Sequence, residues 1–403
     1  MDIAIIGGGA AGCFAAANIS VNSGDTVTLY EKTGKLLQKV KVSGGGRCNV
    51  THACFDVPEL ITKYPRGKQF LKKSLYQFPP QNTIKWFEER GVVLKTEEDG
   101  RMFPTTDSSQ TIIDCLTKAL FKNKVHIAYH KAIKKIEPLD VGFKLHFADG
   151  STSRADKVLI ACGGFPKVEQ YNWIKELGHT IENPVPSLFT FNMPKHPITK
   201  LMGVAVPEVT LKIKGSKSAQ LGPLLITHWG MSGPVVLRTS AWAAKELSEK
   251  DYDFNILINW LDNVTEEELK AQFVDMRQVQ GKQLVKGKNP FQLPKRLWEY
   301  FTTEAGVADN TKWGDLSAAS QNKLLNMLIR DEYHIKGKTT FKEEFVTCGG
   351  IKLSEVDAQT MESKKTKGLY FAGELLNVDG ITGGFNFQHA WSSGYIAAQN
   401  MML

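Results

Sequence analysis

The 403-residue sequence contains no Cys-x-x-Cys pair. Its six cysteines are scattered, and no histidine, cysteine or aspartate cluster has the spacing of a metal site. These absences argue against a disulfide framework and against a zinc site. They predict reduced thiols in a cytoplasmic protein without a metal. The cysteines are Cys13, Cys48, Cys54, Cys115, Cys162 and Cys348.

The sequence also lacks a hydrophobic run of membrane-spanning length. The nearest candidate, 3–19, has no basic region before it, and it contains glycines at positions that suit a nucleotide-binding turn. There is no internal repeat and no low-complexity segment. A chain of this length normally forms two or three domains, so we expect a soluble protein with no membrane contact.

A formal charge of +8 permits an anionic ligand or a nucleic acid. The basic residues are dispersed in short clusters, at 131–135, 282–288 and 364–367, which is typical of solvated faces. No RNA-binding motif is present, and no stripe of lysine or arginine alternates with aromatic residues. We therefore expect a small-molecule substrate rather than a nucleic acid. The sequence leaves the oligomeric state open.

The hydrophobic pattern begins with a strand at 2–6, a helix from Ala10 to about Ser20 and a second strand at 26–31. Such a βαβ unit predicts an α/β fold with a parallel sheet. We expect irregular structure from Lys35 to Pro80. Further helices are expected at 83–90 and 110–122, and further strands at 125–129, 143–147 and 156–164.

A proline-rich stretch at 183–194 predicts the exit from this first domain. Alternating strands at 207–215 and 252–260 follow, and then helices at 266–277, 295–304 and 317–331. A strand and turn at 368–374 and a closing helix return to the first fold. The predicted domains are a dinucleotide domain (1–190 and 345–403), a β-rich insert (191–262 and 332–344) and a small helical domain (263–331).

The segment GGGAAG contains Gly7-x-Gly9-x-x-Gly12, placed between a strand and a helix. Glu31 ends the next predicted strand, which completes the context of a dinucleotide fingerprint. Gly7 would make the tight turn, Gly9 would admit the pyrophosphate, and Gly12 would let helix and strand pack closely. Glu31 is expected to bind ribose hydroxyls.

Two more segments favour FAD over NAD. The strand at 158–164 ends in small residues, and the segment at 368–394 pairs a Gly-acid turn with a glycine-rich helix start near Gly384. A C-terminal segment that completes an N-terminal nucleotide fold is typical of flavoproteins. The positive end of that helix would favour negative charge on a reduced flavin.

The loop VSGGGRCNVTH (42–52) follows the Glu31 strand. Its successive glycines could form an anion-accepting nest, with Ser43 and Asn49 bonding phosphate or ribityl oxygens. Arg47 would either neutralise pyrophosphate or brace the loop. Cys48 is interpreted as a packed thiol rather than a redox or flavin-linked cysteine, because no resolving partner is suitably spaced.

Six segments together resemble the HI0933-like flavoprotein family: GGGAAG (7–12), SGGGRCNVT (43–51), EEDGRMFP (97–104), ITHWGMSGP (226–234), TCGGI (347–351) and GELLNVDGITGGFNFQHAWSSG (373–394). The resemblance covers essentially the whole chain. It implies a glutathione-reductase-type, Rossmann-like FAD domain interrupted by a β-barrel-like insert and a small helical domain. It also implies NAD(P)/FAD-dependent oxidoreductases or aminoacetone-oxidase-type enzymes, with one branch of bile-acid 3-dehydro-Δ4,6-reductases.

The chain departs from the family pattern at three places. Leu37-Gln38-Lys39 stands where Gly-Arg-Lys is usual, so only Lys39 carries over; His52 replaces an asparagine, and Phe385 replaces a tyrosine. The resulting candidates for cofactor contact are Gly7, Gly9, Ala10, Ala11, Gly12, Glu31, Lys32, Lys39, Ser43, Gly44, Gly45, Gly46, Arg47, Cys48, Asn49, Ala161, Gly163, Gly164, Gly373, Glu374, Asp379, Gly383, Gly384, Phe385 and Asn386.

The sequence predicts an FAD-dependent oxidoreductase but leaves its reductant open. No second fingerprint would hold NAD(P)H, so NAD(P)H would dock transiently between the FAD domain and the insert, and an activated C=C would accept the hydride. Alternatively, an amine substrate reduces the flavin and oxygen reoxidises it. His228 is a candidate proton donor on a loop before a helix at Pro234, with a structural role equally open. Flavin-dependent tRNA modification and non-enzymatic flavin binding are the other classes.

Overall fold

The computed structural model describes residues 1–20, 24–262, 264–287, 289–339 and 346–403. Within these residues the chain divides into two compact units. Unit 1 contains Met1–Ser187 and the described residues from 346 onwards, and unit 2 contains the described residues from 188 to 339. The expected return to the first domain at 345, and the part of the insert at 340–344, lie outside the described residues.

In chain order the strands are β1 (Asp2–Ile6), β2 (Thr26–Tyr30), β3 (Thr51–His52), β4 (Leu94–Thr96), β5 (Arg101–Pro104), β6 (His126–Ala128), β7 (Ile133–Pro138), β8 (Phe143–Phe147), β9 (Thr152–Ala155), β10 (Lys157–Ile160), β11 (Ile181–Ser187), β12 (Thr190–Asn192), β13 (Ala205–Ile213), β14 (Ala219–Thr227), β15 (Gly230–Ser232), β16 (Asp253–Asn259), β17 (Asp331–Lys336), β18 (Lys338–Thr339), β19 (Val346–Ile351) and β20 (Leu369–Phe371).

The α-helices are α1 (Ala10–Ala16), α2 (Gln38–Gly46), α3 (Val57–Leu60), α4 (Lys68–Gln77), α5 (Pro80–Glu88), α6 (Ser109–Lys122), α7 (Asn172–Lys175), α8 (Pro234–Trp242), α9 (Ala244–Glu249), α10 (Glu266–Val279), α11 (Lys295–Glu304), α12 (Ala318–Ile329) and α13 (Phe385–Met401). Short 3₁₀ turns occur at Ile61–Lys63, Val168–Tyr171, Pro197–Leu201, Trp313–Asp315, Leu353–Glu355 and Gly373–Leu375.

Unit 1 is built on a five-stranded sheet in the order β20-β10-β1-β2-β6, in which every neighbouring pair is parallel. The predicted α/β fold with a Rossmann-type sheet is therefore confirmed. Helix α13 packs closely on α1, because an added Cβ at Gly394 would lie 2.6 Å from the carbonyl oxygen of Ala11. The N- and C-terminal parts of the chain thus share one core, in which Phe14 and Trp391 are fully buried.

Unit 1 also carries smaller antiparallel sheets, in the orders β3-β5-β4, β7-β8-β9 and β11-β19. In the first of these sheets, β3 follows the glycine-rich loop at 44–46 and pairs with β5 of the β4–β5 hairpin. Its position matters because β3 contacts the start of α13 in space, where Gly384 lies against Thr51.

Unit 2 contains a seven-stranded antiparallel sheet in the order β17-β16-β13-β14-β15-β12-β18. The two ends of this order, β17 and β18, are separated in the chain by Gly337 alone. The sheet therefore curves until its edges are adjacent, which gives the barrel-like insert that the family resemblance implies.

The helices of unit 2 share one hydrophobic core with its sheet. This core includes Phe191 and Ile256 on strands, and Phe273, Trp298 and Leu328 on helices. Among the described residues the predicted helices at 266–277, 295–304 and 317–331 are present as α10, α11 and α12. The division of the insert into a β-rich and a separate helical domain stays a prediction.

The expectation of irregular structure from Lys35 to Pro80 is wrong. The structure contains α2, α3 and α4 there, together with β3. Helix α4 follows the left-handed Gly67 and buries Phe70, Leu71 and Leu75 on one face. The many lysines, glycines and prolines of this segment hide that spacing, because they also suit a loop. The first helix ends at Ala16, earlier than the expected Ser20.

Candidate functional site

The glycine-rich loop between β1 and α1 leaves an open space over Gly9. An added Cβ would lie 2.6 Å from the carbonyl oxygen of Ala161 at Gly7, and 2.0 Å from the carbonyl oxygen of Gly7 at Gly12. At Gly9 the same Cβ would meet no atom within 4 Å. Gly7 and Gly12 are therefore required by close packing, whereas Gly9 faces free space where a ligand's phosphates can approach the backbone.

Glu31 lies directly after β2 and is buried beside this loop. Its Oε2 accepts a hydrogen bond from the Gly8 N–H at 2.9 Å, and its Oε1 accepts from the backbone and hydroxyl of Thr33. The carboxylate thus fixes the loop at the point predicted for ribose binding. Ala10 is partly exposed at the start of α1 and Ala11 is buried.

The end of β10 forms the neighbouring wall. Ala161 is buried and donates its N–H to the Ile6 carbonyl at 2.8 Å. Gly163 has φ +79, and an added Cβ there would meet nothing, while at Gly164 it would lie 2.3 Å from the Thr347 hydroxyl. The exposed Lys32 reaches towards the Phe165 ring, with Nζ 6.0 Å from its centroid.

The Gly373–Glu374 turn follows β20 and is held by α13. The Gly373 N–H donates to the Ser393 hydroxyl at 2.9 Å, and its carbonyl accepts from His389 Nε2 at 3.1 Å. Glu374 accepts hydrogen bonds from Lys39 Nζ at 2.7 Å and from the Thr347 N–H at 3.0 Å. Complete burial lowers the pKa of His389 to about 4, so its imidazole is neutral.

The start of α13 is a second glycine-dependent turn. Gly383 and Gly384 have φ values of +136 and +92, and an added Cβ at Gly384 would lie 2.6 Å from the Thr51 carbonyl oxygen. The side-chain amide of Asn386 bonds both the N–H and the carbonyl of Gly380. The first turn of this 17-residue helix contains no acidic residue. No carboxylate from that turn therefore offsets the positive N-terminal end of the helix.

Phe385 is buried and stacks on His52, with ring centroids 4.7 Å apart. Burial lowers the pKa of His52, whose Nε2 contacts the Asp99 carbonyl at 3.0 Å. These two positions, where the chain departs from the family pattern, are thus in direct contact. The two departures together form a ring stack beside the start of α13.

Asp379 is fully buried, and protein groups occupy its oxygens. Arg66 bonds both carboxylate oxygens, and the Ser187 hydroxyl donates to Oδ2 at 2.7 Å. Burial raises the pKa of Asp379, and the Arg66 guanidinium acts in the opposite direction. These contacts hold the loop before α13, and the cofactor contact at Asp379 stays a prediction.

The loop at 43–49 is braced by its own side chains. Arg47 donates to Glu97 at 2.6 Å and lies over the Phe103 ring, with its guanidinium carbon 4.0 Å from the centroid. The structure therefore favours the bracing role of Arg47. Ser43 donates to the Val40 carbonyl, and Asn49 accepts from the Met102 N–H.

The three glycines of this loop are all left-handed, with φ values of +57 for Gly44, +67 for Gly45 and +84 for Gly46. The three glycines form a left-handed turn at the end of α2, and their role as an anion-accepting nest stays a prediction. Cys48 is fully buried with φ +61, and burial raises its pKa to about 12. A thiol with so high a pKa is protonated at neutral pH, as a packed cysteine requires.

His228 lies in unit 2, in the tight turn between β14 and β15, and its side chain is exposed. The sequence placed it between a strand and a helix; the structure adds β15, which ends just before α8 begins at Pro234. The His228 ring contacts the Trp229 ring edge-on, with ring centroids 4.4 Å apart. Its role as a proton donor stays a prediction. Across the described residues, no three metal-binding side chains converge.

Sequence reasoning missed Tyr64, Arg66, Ser187 and Ser393. Each side chain bonds a loop that carries predicted cofactor residues. Arg66 and Asp379 are 313 positions apart, so no local pattern connects them. The partner of Asp379 can be identified only from the folded structure.

The residues of unit 1 fit a dinucleotide. Open space over Gly9 and Gly163, a carboxylate after β2 and a positive helix end at Gly384 belong to one unit, and their loops follow the carboxyl ends of neighbouring parallel strands or lead into α13. A family model described as "HI0933-like protein Rossmann domain" matches residues 1–400. The resemblance seen in the sequence is thereby confirmed.

Two curated relatives match along nearly their whole length. A 3-dehydro-bile acid delta(4,6)-reductase from Clostridium scindens is 29% identical over 410 residues, covering 98% of this chain and 98% of the relative. A ribosomal RNA dihydrouridine synthase from Escherichia coli is 30% identical over 411 residues, covering 100% of this chain and 98% of the relative.

A solved structure shares the fold at low sequence identity. The 3-ketosteroid-Δ4-(5α)-dehydrogenase from Rhodococcus jostii RHA1, in complex with 4-androstene-3,17-dione, gives a TM-score of 0.53 at 13% identity. The match covers 98% of this chain and 96% of that chain. Within the described residues, no helix has the length and apolar character needed to span a bilayer.

Proposed function

The chain belongs to the HI0933-like family of FAD-dependent oxidoreductases, and we propose that it reduces a carbon–carbon double bond conjugated to a carbonyl group. The structural observation behind this proposal is the grouping in unit 1 of a phosphate-admitting loop, a Gly-acid turn and a positive helix end, which suits FAD; the bond type is inferred from the relatives. The names of the two relatives point to the same bond type. A 3-oxo-Δ4 steroid and a uracil ring both carry a C=C conjugated to a carbonyl.

Several residues of unit 1 would hold FAD. Gly9 leaves the backbone free for the pyrophosphate in a turn that Gly7 and Gly12 allow to pack closely. Glu31 would bind the ribose, and Glu374 lies at the second turn. When bound, FAD supplies the hydride chemistry. The protein's own part is to orient the two partners, exclude water and hold positive backbone dipoles near developing negative charge.

NAD(P)H is the proposed reductant, as a transient ligand. The sequence has one dinucleotide fingerprint, at 7–12, and because that fingerprint is assigned to FAD, a nicotinamide would bind without a resident site of its own. The test is anaerobic stopped-flow bleaching of the flavin with NADH, NADPH or a panel of primary amines. Fast bleaching by a nicotinamide supports the proposal, whereas bleaching by amines alone would assign the chain to the amine oxidases.

The first substrate candidate is a small enone. Purified enzyme, NAD(P)H and a 3-oxo-Δ4 steroid or a simpler cyclic enone would be incubated anaerobically, and the product examined by mass spectrometry. We expect a gain of two hydrogens. The Gly9→Val variant is the control, because its side chain would fill the space over the loop and prevent FAD retention.

The second candidate is a uracil base in ribosomal RNA. It is supported by the name of the Escherichia coli relative and by the chain's formal charge of +8, which suits a polyanion. The same assay with an unmodified ribosomal RNA transcript distinguishes the two. Gain of two hydrogens on a uridine, with no turnover of enones, would favour RNA and overturn the small-molecule expectation.

A further inference from the structure

We propose that the segment Lys63–Gly67 is a positioning element that fixes the start of α13 against the bound cofactor. This inference rests on the proposed function, because it assumes that FAD lies at the carboxyl edge of the parallel sheet. It goes beyond that function by assigning a role to residues that bear no cofactor motif. Three separate contacts join this segment to the loop that leads into α13.

The first contact is between backbones: the Ile381 N–H donates to the Lys63 carbonyl at 3.0 Å. The second is the hydroxyl of Tyr64, which donates to the Phe385 carbonyl at 2.8 Å from a fully buried side chain. Gly380 permits this approach, since an added Cβ there would lie 3.2 Å from the Tyr64 ring.

The third contact is the buried ion pair of Arg66 with Asp379, supported by a backbone bridge between the same two residues. The adjoining Gly67 packs on Val378, where an added Cβ would lie 2.7 Å from Cγ2. Asp379 and Phe385 bracket the glycines at 380, 383 and 384. The segment therefore contacts the glycine-rich loop on both sides of its glycines.

This grip matters because the N–H groups at the start of a helix are its positive end. A loop with glycines at 380, 383 and 384 has little intrinsic stiffness. The direction of these N–H groups consequently depends on contacts from outside the loop. Because a reduced flavin carries more negative charge than an oxidised one, the aim of this helix end should set the reduction potential.

The decisive experiment compares Tyr64→Phe with Tyr370→Phe in the FAD-loaded protein. Tyr370 is also buried, and its hydroxyl donates to the Asn400 carbonyl at 3.2 Å, near the other end of the same helix. Each variant removes one hydroxyl that contacts α13. We would measure FAD affinity by fluorescence titration and the reduction potential against a dye.

Tyr64→Phe should lower the preference for reduced cofactor by up to about tenfold, which is about 30 mV for a two-electron couple. FAD affinity should change less than threefold, and Tyr370→Phe should match the wild type. Equal shifts in both variants would mean that the hydroxyls only stabilise the helix, and this would overturn the proposal. Unchanged potentials in both would overturn it as well.

Substitutions of Arg66 test the proposal independently. Arg66→Gln should lower the potential in the same direction, and Arg66→Lys, which keeps the charge but not the two-pronged contact, should restore part of it. If Arg66→Gln does not fold, the double variant Arg66→Met/Asp379→Leu removes both charges and serves in its place. If the wild-type protein cannot bind FAD, the proposed function itself is wrong. If it binds FAD but the variants leave the reduction potential unchanged, only this inference is wrong.

Discussion

Replacing Arg66 by methionine should destabilise unit 1 strongly. Asp379 has no exposed surface, and Arg66 bonds both of its oxygens, so the substitution leaves a buried carboxylate with the Ser187 hydroxyl as its remaining side-chain donor. Breaking a buried pair by removing one partner costs about 3–5 kcal/mol. We expect a loss of that size at pH 8 in the free energy of unfolding, measured by urea denaturation of the cofactor-free protein.

The loss should shrink as the pH falls. Burial already raises the pKa of Asp379, and removing the Arg66 charge raises that pKa further. A carboxyl whose folded pKa lies above its unfolded value contributes stability that is present at low pH and is lost as pH rises through the folded pKa. The slope in that window is about 1.4 kcal/mol per pH unit. We expect the loss at pH 5 to be smaller than at pH 8.

Two comparisons check this reasoning. The double variant Arg66→Met/Asp379→Leu should recover most of the stability, because no buried charge is left unpaired. Lys131→Met breaks the partly exposed pair with Asp149 and should cost no more than about 1 kcal/mol. A loss under about 1 kcal/mol for Arg66→Met at pH 8, or a loss independent of pH, would show that Asp379 is not a buried, arginine-dependent carboxylate.

Three further predictions concern unit 1. Gly9→Val should fold normally, because an added Cβ meets no protein atom within 4 Å. The same side chain would fill the space over the loop, so the absorption spectrum should show no bound FAD. Gly12→Ala should instead lose about 1–3 kcal/mol of stability by thermal unfolding, since its Cβ would meet the Gly7 carbonyl at 2.0 Å; equal behaviour of the two variants would contradict the assignment. The pKa of His389 is lowered to about 4, so His389 contributes stability that is full above the unfolded value near 6.5 and falls by about 3 kcal/mol towards pH 4. His389→Gln should flatten that acid limb, and an unaltered pH profile would count against it.

The elements that the sequence predicted well are those with a local signal. The strand at 2–6 and helix α11 at 295–304 match the structure to the residue, because their apolar spacing has a single period. Glycine spacing likewise located the loop at 7–12. The close packing at Gly7 and Gly12 and the open space at Gly9 give that spacing a physical reason.

The parts that the sequence did not predict depend on contacts between distant segments. Helix α4 lies in a segment whose lysines and glycines also suit a loop. Its apolar face is buried only because the helix packs against α13, which is distant in sequence. Arg66 and Asp379 form a pair only because β20 brings the C-terminal loop back to the N-terminal fold. Arg66 lies in no motif, and the segment that contains Asp379 does not indicate which residue pairs with it, so the sequence alone does not reveal the pair.

The triple glycine at 44–46 is required by backbone conformation more than by packing. An added Cβ would meet nothing within 4 Å at Gly45 or Gly46, and only Gly44 is crowded, with Asn49 and Phe103 at 3.0 Å. All three residues are left-handed, a conformation that costs other residues about 1–2 kcal/mol each. Because Arg47 is bound to Glu97 and Cys48 is buried, the loop is held at its downstream end. The space over Gly45 and Gly46 is open, so glycine is required at these two positions by the left-handed backbone and not by a neighbouring atom.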